Sequence, residues 1–538
     1  MSKTYFLKEN VAIEPLINGW FAFPYLISPA TSAMFLKYKM MDMVDSFIKQ
    51  PKLHEMALKN PDMMGGPFID YPASEKYVLE AYRDKINTEE TSTLLFAEAI
   101  KSLNKMLIKT AKGYSLESLY KDIPEILQGV VELYYDVNNQ PAFRFVEPLL
   151  YDEPYHSKKT QSVRIFEVSS KRACDYNTPR LSTNNGVILD VAFDSPLIDQ
   201  LFKMKYTSQS LDHILNELDL SADETKMFLS LFTEDKVEKN NTLKTNEAFR
   251  IRYMGHACVL IESRDVSILI DPFVCHQYAA NMDTHTYSDL PEYIDYVLVT
   301  HGHADHLMTD VLLELRHKIG TVVVPRNGNG NLEDPSLKGI LHELGFKSVI
   351  EVNELERIEI PNGYITNLPF FGEHCDLNIR AKAAHLVNIH GHSVLLAADS
   401  SNLEIKLYKK LKHVIGDIDT IFLGMESVGA PLTFNYGAFL TEKMSRDMDQ
   451  SRRVNGSDFK RGYDLVKQFN PKNVYLYAMG LEEWTQYILG ITYTEDSPQL
   501  NDARQLLEKA SEINVNVELL KGKKDVVYEY EQSYEGAE

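Results

Sequence analysis

Cysteine is scarce: only Cys174, Cys258, Cys275 and Cys375 occur in 538 residues, scattered and never spaced as CxxC. Such usage excludes a disulfide framework and an iron–sulfur cysteine set, and it predicts a reduced, cytoplasmic chain with buried thiols. No run of 18 uncharged apolar residues occurs, so no membrane-spanning helix is expected. The start, MSKTYFLKENVAIEPL, has no basic stretch followed by an apolar core and does not read as a signal peptide. Positive charge is outnumbered, 56 Lys and Arg against 77 Asp and Glu, giving a formal charge of −21. That field repels phosphate backbones and argues against a nucleic-acid partner. No GxGxxG fingerprint, internal repeat or low-complexity tract is present. What is present is a hydrophobic fraction of 44% in a chain too long for one core, which predicts at least two domains.

Residues 233–246, TEDKVEKNNTLKTN, are polar and charged and form the expected linker. Before them, residues 1–232 read as a mixed α/β domain. Helical spacing marks SEKYVLEAYRDKI, TSTLLFAEAIKSLNKMLIKTA and SLESLYKDIPEILQGVVELYYDV, while SVRIFEV and GVILDVAF have strand character. SADETKMFLSLF reads as a helix capped by Ser221. From 247 to 538 the pattern changes to many short β-rich runs with helices between them. The fold class is therefore α/β (α+β), with an αββα sandwich of two sheets in the C-terminal half.

The strongest chemical signal is His301-Gly-His303-Ala-Asp305-His306, directly after the apolar strand YVLVT. Three imidazoles and a carboxylate this close repel one another when protonated and are costly to bury without a partner. Metal binding resolves both problems. The spacing divides the ligands into His301 with His303 for one ion, and Asp305 with His306 for a neighbour. Further ligands must come from other strand ends. Gly372-Glu373-His374 follows YITNLPFF, and Asp399 ends SVLLAADS, where one carboxylate could serve both ions. Glu373 and His374 are adjacent, and their spacing does not say which turns inward. His390 and His392 sit in the turn of the hairpin LVNIHGHSVLLAA, at the end opposite Asp399, and read as exposed turn residues. His256 reads as a core or near-site histidine.

These residues resemble the metallo-β-lactamase superfamily over roughly residues 250–530. The usual hydrolases of that superfamily end with a histidine ligand; here the corresponding stretch, Tyr477-Ala478-Met479-Gly480, has none, and Glu482 lies nearby. The chain as a whole is similar to the di-iron β-hydroxylases of the chloramphenicol-biosynthesis type. The likeness runs through EPLINGWFAFPYLISPATSAM, HGHADH, GEHCDL, AADS, GMESVGAPLTFNYG and YAMGLEEW. It implies His301, His303 and Glu373 on one iron, Asp305 and His306 on the other, and Asp399 between them. Glu426 and Glu482 become candidate catalytic carboxylates. Two histidines with a carboxylate also form the ligand set of oxygen-binding iron sites, whereas zinc has no redox chemistry to support.

The expected activity is O2-dependent hydroxylation of the β-carbon of an amino acid held as a thioester on a peptide-synthetase carrier domain. Electrons would come from an external donor. The alternative is a di-zinc hydrolase of an ester, thioester or phosphodiester, with His374 as a ligand. The resemblance also implies a homodimer and an N-terminal domain acting as dimerisation surface, lid or docking platform. Trp20, Phe21, Phe23 and Tyr25 read as a core or interface cluster. Arg446, Arg452, Arg453, Lys460 and Arg461 form a candidate basic patch for an acidic carrier, set near one helix start.

Overall fold

Short, largely apolar strands, buried on both faces, build two seven-stranded sheets packed face to face in the C-terminal half. The computed structural model describes residues 3–60, 63, 65–181, 185–236, 243–279 and 281–530. In chain order the sandwich strands are β1 (Glu247–Gly255), β2 (Cys258–Ser263), β3 (Ser267–Ile270), β4 (Ile294–Leu298), β5 (Ile319–Pro325), β6 (Val349–Val352) and β7 (Arg357–Ile360). They continue as β8 (Gly363–Leu368), β9 (Ala384–Ile389), β10 (His392–Leu396), β11 (Thr420–Gly424), β12 (Asn473–Tyr477), β13 (Asn516–Leu519) and β14 (Lys524–Glu529). One sheet has the order β6-β5-β4-β3-β2-β1-β14, the other β7-β8-β9-β10-β11-β12-β13.

Alternate side chains of each strand enter different layers. Val259, Ile268, Leu298, Val387 and Phe422 meet between the sheets. Leu386, Leu395 and Ile421 face the other way, under the helices Phe459–Phe469 and Pro498–Ser511. On the first sheet, Leu260, Leu269 and Val297 pack with Leu312 and Ile340 in a core that runs on into Val11, Ile13, Trp20 and Phe35. The N-terminal half is thus joined to the sandwich through its helix layer. The helix Thr309–Leu315 is the joint: Thr309 Oγ1 donates to Ala22 O at 2.7 Å, and Glu314 takes Lys205 Nζ at 2.9 Å and the Ile13 amide at 3.2 Å.

In the N-terminal half the strand Val11–Ile17 pairs with Gln161–Glu167, and the helices Lys76–Glu89 and Thr91–Thr110 follow the expected periodicity. Ser221 caps Ala222–Ser230 through a reciprocal capping box with Glu224. The stretch 115–137 differs from its helical reading. It forms two 3-10 turns, Glu117–Asp122 and Glu125–Leu127, then the strand Val131–Tyr135 paired with Pro141–Phe145. Pro124 and Gly129 interrupt helical continuity, and the β-prone VELYY finds a partner strand. Of the expected linker, Thr233 still belongs to the short strand Phe232–Thr233, and residues 237–242 lie outside the described residues.

Candidate metal centre

Parallel pairing sets the site at one edge. β3 and β4 run parallel with Ile270 opposite Leu298, so Asp271 emerges beside Val299 and Thr300, just ahead of the histidine loop. β10 and β11 are also parallel, with Leu396 opposite Phe422, and their continuations deliver Asp399 and Glu426. β8 runs in the same direction as β10, because each is antiparallel to β9, and after it come Glu373 and His374. Two local features shape these turns. Glu373, Cys375 and Asp376 adopt positive φ (63°, 54° and 57°), a costly conformation that surrounding packing must hold. A Cβ on Gly424 would meet Ala398 O at 2.4 Å and Asp399 Oδ1 at 3.1 Å, so glycine permits the close approach of the two strand ends.

The loops bring His301, His303, Asp305, His306, Glu373 and Asp399 together, along with His256 and His374. Ligand-type atoms of His301, His303, Glu373 and His374 form one group, those of His256, Asp305 and His306 a second, and those of His301, His306 and Asp399 a third; within each, all lie within 4.8 Å of one another. His303 Nδ1 is 2.8 Å from Glu373 Oε1 and 3.2 Å from His301 Nε2. His306 Nε2 lies 3.1 Å from Asp399 Oδ2 and 3.6 Å from Asp305 Oδ2, and His256 Nε2 lies 3.0 Å from that same Asp305 oxygen. His374 Nδ1 approaches Glu373 Oε2 to 2.5 Å, so both candidates at this turn face the cluster.

Neighbouring groups fix the imidazoles. Asp271, fully buried, accepts from the Thr300 amide at 2.8 Å and the Thr300 hydroxyl at 2.6 Å, and it pairs with His306 Nδ1 at 2.8 Å. This leaves Nε2 of His306 for the centre. Tyr436 Oη, fully buried, sits 2.6 Å from His303 Nε2 and leaves Nδ1 inward. Burial opposes charge on His306, yet Asp399, Asp305 and Asp271 outweigh it and raise its pKa well above the ordinary value. Burial, helped by His306 and His303, pushes His301 well below it. Burial and the carboxylates Asp399, Asp305 and Glu373 push Glu426 well up.

The donor set fits metal ions. Asp399 Oδ1 and His374 Nε2 are buried with no hydrogen-bond partner, an expensive state that a coordinated cation relieves. All donors are imidazole nitrogens and carboxylate oxygens, and Asp399 stands between the two halves of the cluster.

A cavity of about 140 Å³ opens over the cluster, with His303, Asp305, Glu373, Asp399 and Glu426 in its walls. Phe23, Tyr25, Phe35 and Tyr176 from the N-terminal half supply much of the remainder, and Ile488 and Ile491 close it from the C-terminal end. Phe23 and Tyr25 belong to the buried core, as expected, and also face the chamber. Trp20 is core, its indole donating to Tyr82 Oη at 2.7 Å.

Glu482 is also corrected. Its Oε1 takes the Tyr253 hydroxyl at 2.5 Å and the Gly522 amide at 3.3 Å, so it braces β1 against the C-terminal turn and does not join the cluster. Glu426 lines the chamber, half-buried. His390 and His392 are at the far hairpin turn, half-buried against Phe249 rather than exposed. The basic residues do not share one helix start. Arg446 opens Arg446–Ser451, while Lys460 and Arg461 belong to Phe459–Phe469. Arg452 and Arg453 are committed to the carbonyls of Cys375 and Gly429. Asp271 and Tyr436 were missed from sequence. The signal for Asp271 was an acid ending the apolar strand VSILI; Tyr436 lay inside the FNYG stretch without a spacing to mark it.

A two-sheet sandwich bearing clustered His, Asp and Glu at the C-terminal edge defines a metallo-β-lactamase-fold metalloprotein. Residues 250–370 match the β-lactamase superfamily domain, and residues 6–236 match the N-terminal domain of the diiron non-heme β-hydroxylases. The chain is 37% identical over 510 residues to the Streptomyces venezuelae 3-hydroxylase of 4-amino-L-phenylalanyl-CmlP peptidyl carrier protein, covering 94% of this chain and 96% of the relative. The crystal structure of CmlA, a diiron β-hydroxylase from the same organism, superposes with a TM-score of 0.92 at 34% identity, over 98% of this chain and 100% of that one. A metal-dependent hydrolase of Desulforamulus reducens is 40% identical over only 58 residues, 11% of this chain and 23% of its own. The chain belongs to the CmlA-like diiron β-hydroxylase family, and it is an enzyme whose cofactor is a pair of iron ions.

Proposed function

We propose that this enzyme uses O2 to hydroxylate the β-carbon of an amino acid tethered as a thioester to a carrier domain. The single observation that carries the reading is Glu373. A carboxylate, set 2.8 Å from His303, stands in the wall of an aromatic-lined chamber, and the full-length relative hydroxylates a carrier-bound aromatic amino acid. His301, His303 and Glu373 would hold one iron, Asp305 and His306 the other with His256 beside them, and Asp399 would lie between. The irons supply the O2 activation and C–H oxidation.

The remaining work belongs to the chain. Asp271 and Tyr436 fix the ring nitrogens that face the centre. Phe23, Tyr25, Phe35 and Tyr176 exclude water and bind an apolar side chain. Glu426 stands in the chamber wall beside Asp399, placed to orient a ligand or relay a proton. One oxygen atom enters the C–H bond and the other leaves as water, so two electrons and two protons per turnover come from a separate donor.

We further propose a cytoplasmic homodimer in which residues 1–232 form a domain roofing the chamber, joined by 233–246 to 247–538. The four free cysteines support the compartment. Among the described residues no helix is long and apolar enough to cross a membrane. The test is to purify the protein, measure metal, and supply O2, a reductant and aminoacyl-loaded carrier domains. Two irons per chain and a β-hydroxylated product are expected. Two zincs with thioester hydrolysis would overturn the reading.

A further inference from the structure

A second, larger groove, about 940 Å³, adjoins the iron chamber. It shares Lys39 and Phe434 with the chamber wall, whereas the other two large grooves share no residue with it. Lys39, Lys101, Lys105 and Lys443 line it, with Glu98 and Glu442 as the acids. Glu98 is already engaged by Lys37 at 2.5 Å. Among the described residues none of the four lining ammoniums is in a salt bridge. Lys39 lies at the neck: its ammonium donates to Phe434 O at 3.1 Å and stands 5.5 Å from the Phe35 ring centroid and 5.1 Å from that of Phe434. Burial lowers its pKa to about 8, as expected for a cation without a counter-ion.

In a chain of net charge −21, lysines gathered without salt bridges among the described residues at the entrance to the reactive centre are a selective feature; Lys101 Nζ rests 3.5 Å from the Tyr38 ring centroid.

Resting on the carrier-tethered reading above, we propose that this lysine-lined groove receives the phosphate-bearing prosthetic arm of an acidic carrier domain. The outer lysines Lys101, Lys105 and Lys443 take the phosphodiester. Lys39 and Phe434 guide the thioester end into the chamber.

The test uses the full-length, iron-loaded chain and two probes, 4′-phosphopantetheine and pantetheine, which differ by the phosphate. Titration calorimetry is expected to show the phosphorylated probe binding about ten-fold more tightly. The gap should close in the Lys105→Glu/Lys443→Glu variant and persist in Lys85→Glu/Lys159→Glu, whose lysines line a separate groove. Equal binding of both probes, binding of neither, or an undiminished gap in the first variant overturns the proposal. Steady-state hydroxylation of an aminoacyl-carrier separates the two levels. The first variant should raise KM about ten-fold with kcat unchanged. Wild-type kcat/KM in that variant sinks the groove alone, whereas iron-loaded enzyme inert toward every loaded carrier sinks the underlying reading.

Discussion

Around Glu14, in the buried strand Val11–Ile17, three guanidinium groups converge: Arg172 at 2.8 Å, Arg164 at 3.0 Å and Arg180 at 3.2 Å. Both carboxylate oxygens are taken by cations the chain itself supplies. Around Asp399 the arrangement is reversed: imidazoles and carboxylates crowd together, Oδ1 of Asp399 has no partner, and no arginine enters the cluster. Both groups are buried and charged, yet one is closed and the other open. Buried charge alone therefore does not mark a reaction centre; unspent donor atoms do.

Four experiments would break or sharpen that distinction. Asp399→Ala has the largest expected effect. It should abolish the paired iron and hydroxylation, read by elemental analysis and product formation, while the fold persists by circular dichroism. Retention of two irons would show that Asp399 does not stand between them. Glu14→Gln should leave three arginines short of charge and lower unfolding free energy by about 3–5 kcal/mol, with iron per folded chain unchanged. A matching loss of iron would merge the two regions into one functional unit.

Asp271→Asn keeps the shape but weakens the His306 contact, and metal affinity should fall about 10–100-fold by competition with a chelator. The smallest effect at neutral pH concerns Glu147, a buried acid with no cation partner among the described residues. It accepts from Ser336 N at 2.8 Å and Asn327 Nδ2 at 3.1 Å, and burial, outweighing these bonds, raises its pKa from 4.5 to about 7. The folded chain then holds this proton longer than the unfolded chain. Its contribution is fully present below pH 4.5, declines as pH climbs to 7, and is lost above, by about 3 kcal/mol in all. Glu147→Gln should flatten this slope in pH-dependent chemical denaturation; an unchanged slope would assign it elsewhere.

Much of the sandwich was legible because short apolar, β-rich runs report burial directly. The histidine loop was legible because its ligands are local. Glu373 and Asp399 could be found because each follows a recognisable strand. The Glu373–His374 choice was not legible, since a positive-φ turn presents both side chains to the cluster. The chamber roof was unreadable for another reason: Phe23, Tyr176 and Ile491 belong to segments whose meeting is set by tertiary packing, and an aromatic facing a cavity has the same local pattern as one facing a core. Glu482 looked catalytic by proximity in sequence to Tyr477–Gly480, but its partner Tyr253 comes from the other sheet.

β14 pairs with β1, so the opening strand of the sandwich gains its outer neighbour only from residues 524–529. On the ribosome, β1 must wait for residues 524–529 to emerge. The N-terminal half shares a core with this sheet's helices and must wait as well. Assembly is consequently dominated by long-range contacts, which slows it and exposes apolar surface on the way. Stop codons or proteolytic cuts ahead of residue 524 remove the closing strand, and such fragments should aggregate rather than persist as a smaller working enzyme.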